Sequence, residues 1–122
     1  MTTMKPTVAS LKRGEVVLVL FPDSNLRTAK TRPAVVVQAN NLQTGLPQIV
    51  VAMITSQLQR SGHSSRCLVK RSTSAGRQAG LLKDSVVMTD NLATVFETAI
   101  DRLIGSLPMD DIDAALPHTL AL

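Results

Sequence analysis

Apolar and polar positions alternate in short blocks along most of the chain. Val16 to Phe21 is a first apolar run of strand length. Ala34-Val35-Val36-Val37 and Ile49-Val50-Val51-Ala52-Met53-Ile54 are two more, rich in β-branched residues. Arg66–Lys70 is shorter, with Cys67 and Val69 alternating against charge. Ser85–Thr89 and Leu92–Phe96 read as two successive strands or one bent strand, and Leu103–Leu107 as a weaker one. Pro33 lacks the donor a central ladder needs, so it is expected to start the second strand rather than sit inside it. Polar stretches separate the runs: Pro22 to Thr31 with Asp23-Ser24-Asn25 as turn signal, Asn40 to Pro47, Gln57 to Ser65, and Ser72 to Gly80, read as a loop.

The C-terminal pattern is different. Asp110 and Asp111 put carboxylates where a first helical turn presents its positive dipole end. Ile112, Leu116, Thr119 and Leu120 then recur at helical spacing. Pro117 removes a donor and crowds the carbonyl of Asp113, which predicts a kink or an early stop. Many short strands and one terminal helix predict a mainly β domain built as a small, strongly bent barrel.

Length changes this picture little: 122 residues make one domain. Residues 1–10 read as a short flexible arm and 11–122 as the single domain. No apolar run approaches the roughly 20 residues that span a bilayer, so no membrane role is expected. Cys67 has no second cysteine to pair with, which fits a reducing, cytoplasmic setting. Two separated histidines and one cysteine make no zinc spacing, and no Gly-rich phosphate loop or nucleophile elbow is present. Neither a metal nor a cofactor is expected.

Charge is more informative. Residues 1–83 carry 12 of the 13 basic side chains against Glu15 and Asp23, a net +10. Residues 84–122 carry Arg102 against seven acids, a net −6. A basic stretch beside an acidic end suits a polyanionic partner on one face; the plain alternative is a solvated basic loop region. Trp and Tyr are absent, and Phe21 and Phe96, both beside apolar runs, are expected in the core. Base stacking on an aromatic sheet face is therefore excluded, leaving arginine planes, polar side chains and backbone for any base contact.

One juxtaposition stands out. Lys30-Thr31-Arg32-Pro33 delivers an arginine at the entry of one strand, and Thr55-Ser56-Gln57 delivers hydroxyls at the exit of another. If those strands are neighbours, a planar cation and neutral donors share one mouth and can grip a phosphate. These blocks also carry a family likeness. Leu11-Lys12-Arg13-Gly14-Glu15-Val16-Val17, Phe21-Pro22, Lys30-x-Arg32-Pro33-Ala34-Val35-Val36, Ile54-Thr55-Ser56 and the segment from Gly80 to Leu92 together resemble, in order, the MazF/PemK toxins. These are ribonuclease components of bacterial toxin–antitoxin pairs.

The resemblance implies an SH3-like β-barrel of the PemK/CcdB type, packed with helices and usually a homodimer. It implies metal-independent cleavage of single-stranded RNA, in which the 2′-hydroxyl attacks the adjacent phosphate to leave a 2′,3′-cyclic phosphate and a 5′-hydroxyl. It also implies a cognate antitoxin with an acidic, partly disordered tail, and operator DNA reached through the toxin–antitoxin complex. By the same resemblance Arg32 stabilises the phosphoryl charge, Thr55 contacts the scissile phosphate and Asp90 matches an acidic position that some relatives use as a base. An arginine stays protonated, with a pKa above about 12, so it is a poor general base for that role. Ser56, Gln57, Lys30, Arg27, Arg60 and His63 are the candidates for substrate contact, His63 as a titratable loop side chain and the rest as donors.

Two departures from the family pattern are visible. Asn25-Leu26-Arg27-Thr28 stands where many relatives have Gly-Ser-Glu-Gln, with Arg27 in place of the glutamate. Asp90-Asn91-Leu92-Ala93-Thr94 stands for Asp-Gln-x-Arg-Thr, with Ala93 in place of the arginine. Both bear on cleavage rate and base preference more than on folding. Two other functions fit the same chain: a non-catalytic, CcdB-like toxin that binds a protein such as gyrase, or a degenerate member that binds only antitoxin or operator DNA.

Overall fold

The computed structural model describes residues 5–22, 25, 27–42 and 44–122. The Asp23-Ser24 stretch of the expected turn, Leu26, Gln43 and the first four residues of the expected arm lie outside these. The elements are β1 (Glu15–Pro22), β2 (Ala29–Val36), β3 (Gln48–Thr55), β4 (Arg66–Val69), α1 (Ser74–Gln78), β5 (Ser85–Phe96), a 3-10 turn at Glu97–Ala99, β6 (Ile100–Ser106) and α2 (Asp110–Leu120). The strands form one six-stranded sheet in the order β4-β5-β3-β2-β1-β6, with each of its paired neighbours antiparallel.

The unbroken apolar runs have a simple cause: both faces of the sheet are covered. Val17 and Val19 of β1, Ala34 and Val36 of β2, and Ile49, Val51 and Met53 of β3 point to one core, which Leu11, Val95 and Ile100 complete. Val16, Val35, Ala52 and Ile54 point the other way. There they meet Val87, Leu81, Leu107 and the inner face of α2 at Ile112 and Ala115. Each fully buried valine contributes on the order of 1.5–3 kcal/mol relative to exposure.

The mainly β class with a C-terminal helix is as expected, but the sheet is not closed: β4 and β6 are its two ends. Backbone packing fills some of that seam. A Cβ on Gly80, whose φ is +74°, would collide with the Ile104 carbonyl. One on Gly105 would collide with the backbone of Gln78 and Ala79. Two glycines thus let the segment after α1 lie directly on β6.

Four local expectations are corrected. Pro33 sits inside β2, not at its start, because the β2–β3 ladder begins only at Ala34 and no β3 partner meets the proline. The stretch 72–80 contains α1, capped by Thr73, whose Oγ1 accepts from the Gly76 N–H at 3.1 Å. Phe96 is 62% exposed rather than core, while Phe21 is half-buried against the first core. α2 runs to Leu120, since Pro117 falls in its last turn; Ala121, at φ 57°, then closes it with an N–H donated to the Pro117 carbonyl. Within the segment read as an arm, the Val8 N–H donates to Glu97 Oε1 at 2.7 Å.

β5 is one bent strand. Its pairing with β3 jumps from Leu92 opposite Ala52 to Met88 opposite Met53, so Thr89, Asp90 and Asn91 bulge out of that ladder. Thr89 is fully buried and anchors the bulge. Its hydroxyl donates to the Ser65 carbonyl at 2.5 Å and accepts from the Thr119 hydroxyl at 2.9 Å.

Candidate functional site

β2 and β3 are paired only from Ala34 to Val36, opposite Met53 to Val51. Beyond that point β2 pairs with β1 alone and β3 with β5 alone. Pro33 stands at the parting, and with no N–H it cannot extend the ladder toward Ile54. The two strands therefore open a gap, with Arg32 on one lip and Thr55 on the other.

Two cavities meet at this gap, and Arg32 and Thr55 line both. The larger, about 580 Å³, runs over β6 and the segment before β5. Its wall includes Ser56, Gln57, Lys83, Arg102 and the apolar Leu18, Ile54 and Leu81. The smaller, about 280 Å³, is lined by Phe21, Met53, Met88, Asn91 and Ala93 as well. Among the described residues lining either cavity there is no carboxylate and no imidazole.

Donors in the larger cavity are left for a ligand. The side chains of Arg32, Lys83 and Arg102 have no hydrogen-bond or ion-pair partner among the described residues. Thr55 Oγ1 accepts from the Gln57 N–H at 3.1 Å, which occupies a lone pair and leaves the hydroxyl proton to donate. Three cations and several hydroxyls, with no acid among the described lining residues, give this hollow the chemistry to hold an anion.

The other expected residues are elsewhere. Asp90 lines neither cavity; the bulge turns it toward β4, where Arg66 Nη2 donates to Oδ2 at 3.3 Å and Arg66 Nε lies 3.2 Å from Oδ1. Asn91, the next residue, faces the gap instead. His63 is exposed and engaged locally: Nδ1 accepts from the Ser65 N–H at 3.1 Å and lies 2.8 Å from Ser65 Oγ. Arg60 is exposed beside it, its carbonyl accepting from the His63 N–H. Lys30 is exposed on β2 opposite Phe21, and Arg27 is exposed with its N–H on Asn25 Oδ1. None of these four lines the two cavities.

Sequence reasoning passed over Lys83, Arg102 and Asn91. For Arg102 a signal existed: it is the one cation in an otherwise acidic final third of the chain. Among the described residues no group of three or more His, Cys, Asp or Glu side chains is placed to hold a metal. Cys67 lies apart from the gap, buried with Sγ 3.4 Å from the Asp111 carbonyl; burial, then the Asp111 charge, pushes its pKa up from 9.0.

The fold and gap define a small, mainly β domain with a cationic mouth, and comparison with known proteins gives it a family. Residues 12–118 match the sequence model described as a PemK-like, MazF-like toxin of a type II toxin–antitoxin system, and the chain belongs to that family. No curated protein sequence gives a significant match. Among solved structures, the Mycobacterium tuberculosis toxin MazF-mt6 superposes with a TM-score of 0.68 at 22% identity, over 88% of this chain and 97% of that one. An endoribonuclease in complex with its cognate antitoxin, from a mycobacterial species, gives 0.68 at 20% identity over 92% and 96%. A MazE–MazF structure from Deinococcus radiodurans gives 0.69 at 15% identity over 92% and 97%. Among the described residues no helix is long and apolar enough to cross a membrane.

Proposed function

We propose that this chain is an endoribonuclease toxin that cleaves single-stranded RNA by 2′-hydroxyl attack, without a metal, and is neutralised by a cognate antitoxin. The observation that carries the reading is the gap beyond Pro33, where Arg32 and Thr55 line the same two cavities. In the reaction the 2′-oxygen bonds to phosphorus as its proton passes to water, negative charge builds on the non-bridging oxygens, and the P–O5′ bond breaks as the 5′-oxygen takes a proton from water. A guanidinium fixed at that point lowers the barrier; removing one such stabiliser costs about 3–4 kcal/mol in comparable sites. Thr55 donates its hydroxyl proton to a phosphoryl oxygen, and Ser56 and Gln57 extend the donor row. Asp90 takes the 2′-hydroxyl proton only if it first releases Arg66, so the reading rests on Arg32 and Thr55. The working form is a homodimer acting on cytoplasmic RNA, with operator DNA reached only through the antitoxin complex.

The absence of a carboxylate or imidazole among the described cavity-lining residues favours a second reading. In it the same cationic mouth binds an acidic protein partner and performs no chemistry. Incubating the purified protein with end-labelled single-stranded RNA in EDTA separates the two. The nuclease reading expects fragments ending in cyclic phosphate, and a fall of roughly 100- to 1,000-fold on Arg32→Ala. The melt should barely move, because the exposed side chain has no partner among the described residues. RNA left intact at high protein concentration, or cleavage abolished by chelation, overturns it.

A further inference from the structure

We infer that Arg102 and Lys83 form a second phosphate subsite for the nucleic-acid chain, one linkage away from the phosphate held by Arg32 and Thr55. The inference rests on the nuclease reading for its substrate class but not for its test. Arg102 pairs with Leu18 of β1, and Leu18 pairs with Pro33 of β2, the row next to that of Arg32. Neighbouring rows face opposite sides of a sheet, so the two arginines share a cavity only because β2 and β3 part at the gap. Lys83 lines the same cavity from the segment between α1 and β5, which Gly80 seats against the Ile104 carbonyl. With Arg32 they make three unpartnered cations around one hollow, among the described residues, with no acid in its lining.

One tetrahedral phosphate does not use this set. Arg32 with Thr55, Ser56 and Gln57 already supplies enough donors at the gap for its two non-bridging oxygens. The remaining pair lies along a cavity of about 580 Å³, room for more than one phosphate and its sugar. Leu18, Leu81 and Ile104 line the same cavity and offer an apolar floor for the ribose.

The test is binding, so it does not need turnover. A single-stranded oligonucleotide with 2′-deoxy substitution at the attacking position is titrated against wild type, Arg102→Gln, Arg102→Lys and Lys83→Gln across a range of salt. Each lost phosphate contact should reduce the slope of log affinity against log salt by about 0.7. Arg102→Gln and Lys83→Gln are expected to lose that increment, and Arg102→Lys to keep most of it. A second probe replaces one linkage at a time with neutral methylphosphonate. At a linkage adjacent to the scissile one the substitution should weaken wild type about tenfold and Arg102→Gln hardly at all. An unchanged salt slope, or a methylphosphonate penalty equal in wild type and Arg102→Gln at every linkage, overturns the inference. So does an Arg102→Gln effect confined to an acidic peptide partner. Failure of wild type to cleave RNA would strike the nuclease reading alone and leave the phosphate subsite standing or falling on these titrations.

Discussion

Replacing Thr89 by valine asks whether the β5 bulge is held by the hydroxyl or merely by packing. The shape is nearly conserved and the site is fully buried, so the change removes one polar atom and little else. Two hydrogen bonds go: the one donated to the Ser65 carbonyl at 2.5 Å and the one shared with Thr119 at 2.9 Å. The Ser65 carbonyl keeps the Thr89 N–H at 3.1 Å, so it is not orphaned, and Thr119 is half-buried and can turn to water. At about 1 kcal/mol net for each bond, the expected cost is about 1–2 kcal/mol. For a chain of 122 residues each kcal/mol moves the midpoint by about 4 °C, so Tm should fall by about 4–8 °C. Thr119→Val alone should cost less, and the double variant should fall short of the sum by at least about 0.5 kcal/mol. Calorimetry of the four proteins at one concentration measures this cycle. A Tm change under about 1 °C for Thr89→Val, or strict additivity with Thr119→Val, refutes the idea that this pair pins the bulge.

Because the bulge turns Asp90 toward Arg66 and Asn91 toward the gap, Asp90→Asn should lower RNA cleavage by less than about tenfold, against at least 100-fold for Arg32→Ala in the same gel assay. Gly105→Ala forces a Cβ into the backbone of Gln78 and Ala79, where no side chain can swing aside; a loss of about 1–3 kcal/mol in urea unfolding is expected, and an unchanged midpoint would contradict the packing of that seam. The raised pKa of Cys67 makes the folded state the one that keeps its proton. Its contribution is complete below the unfolded value near 9.0 and is lost as pH rises from there toward the folded value, so unfolding free energy should fall more steeply above pH 9 in wild type than in Cys67→Ala. The neutral buried thiol should also resist alkylation at neutral pH until urea is added.

The strands were legible because burial on both faces leaves long β-branched runs, and Val16–Phe21 and Ile49–Ile54 lie inside the observed β1 and β3. α1 was not legible: its five residues are too few for a periodic signal, and its cap, Thr73, sits among other turn formers. Phe96 misled because an aromatic beside an apolar run is usually core, yet here it ends the last pair of a ladder, opposite Gln48, and points outward. Asp90 shows a different limit. A sequence motif places it next to Asn91, but a three-residue bulge decides which of the two side chains faces the gap, and nothing in the spacing encodes that bulge.

Pro33 is the instructive case, because the expectation about it was wrong in position and right in chemistry. The missing N–H was expected to keep the proline out of the strand interior. Instead β2 continues back to Ala29 on the strength of β1 alone, and it is the second ladder, toward β3, that stops. A donor lost on one side of a strand thus separates a pair of neighbours without ending either. The residue before it, Arg32, is carried on a paired and therefore positioned strand, yet faces open space rather than a third strand. A cation built this way has its backbone fixed by β1 and its guanidinium free for a ligand, which is what charge stabilisation at a phosphate asks of it.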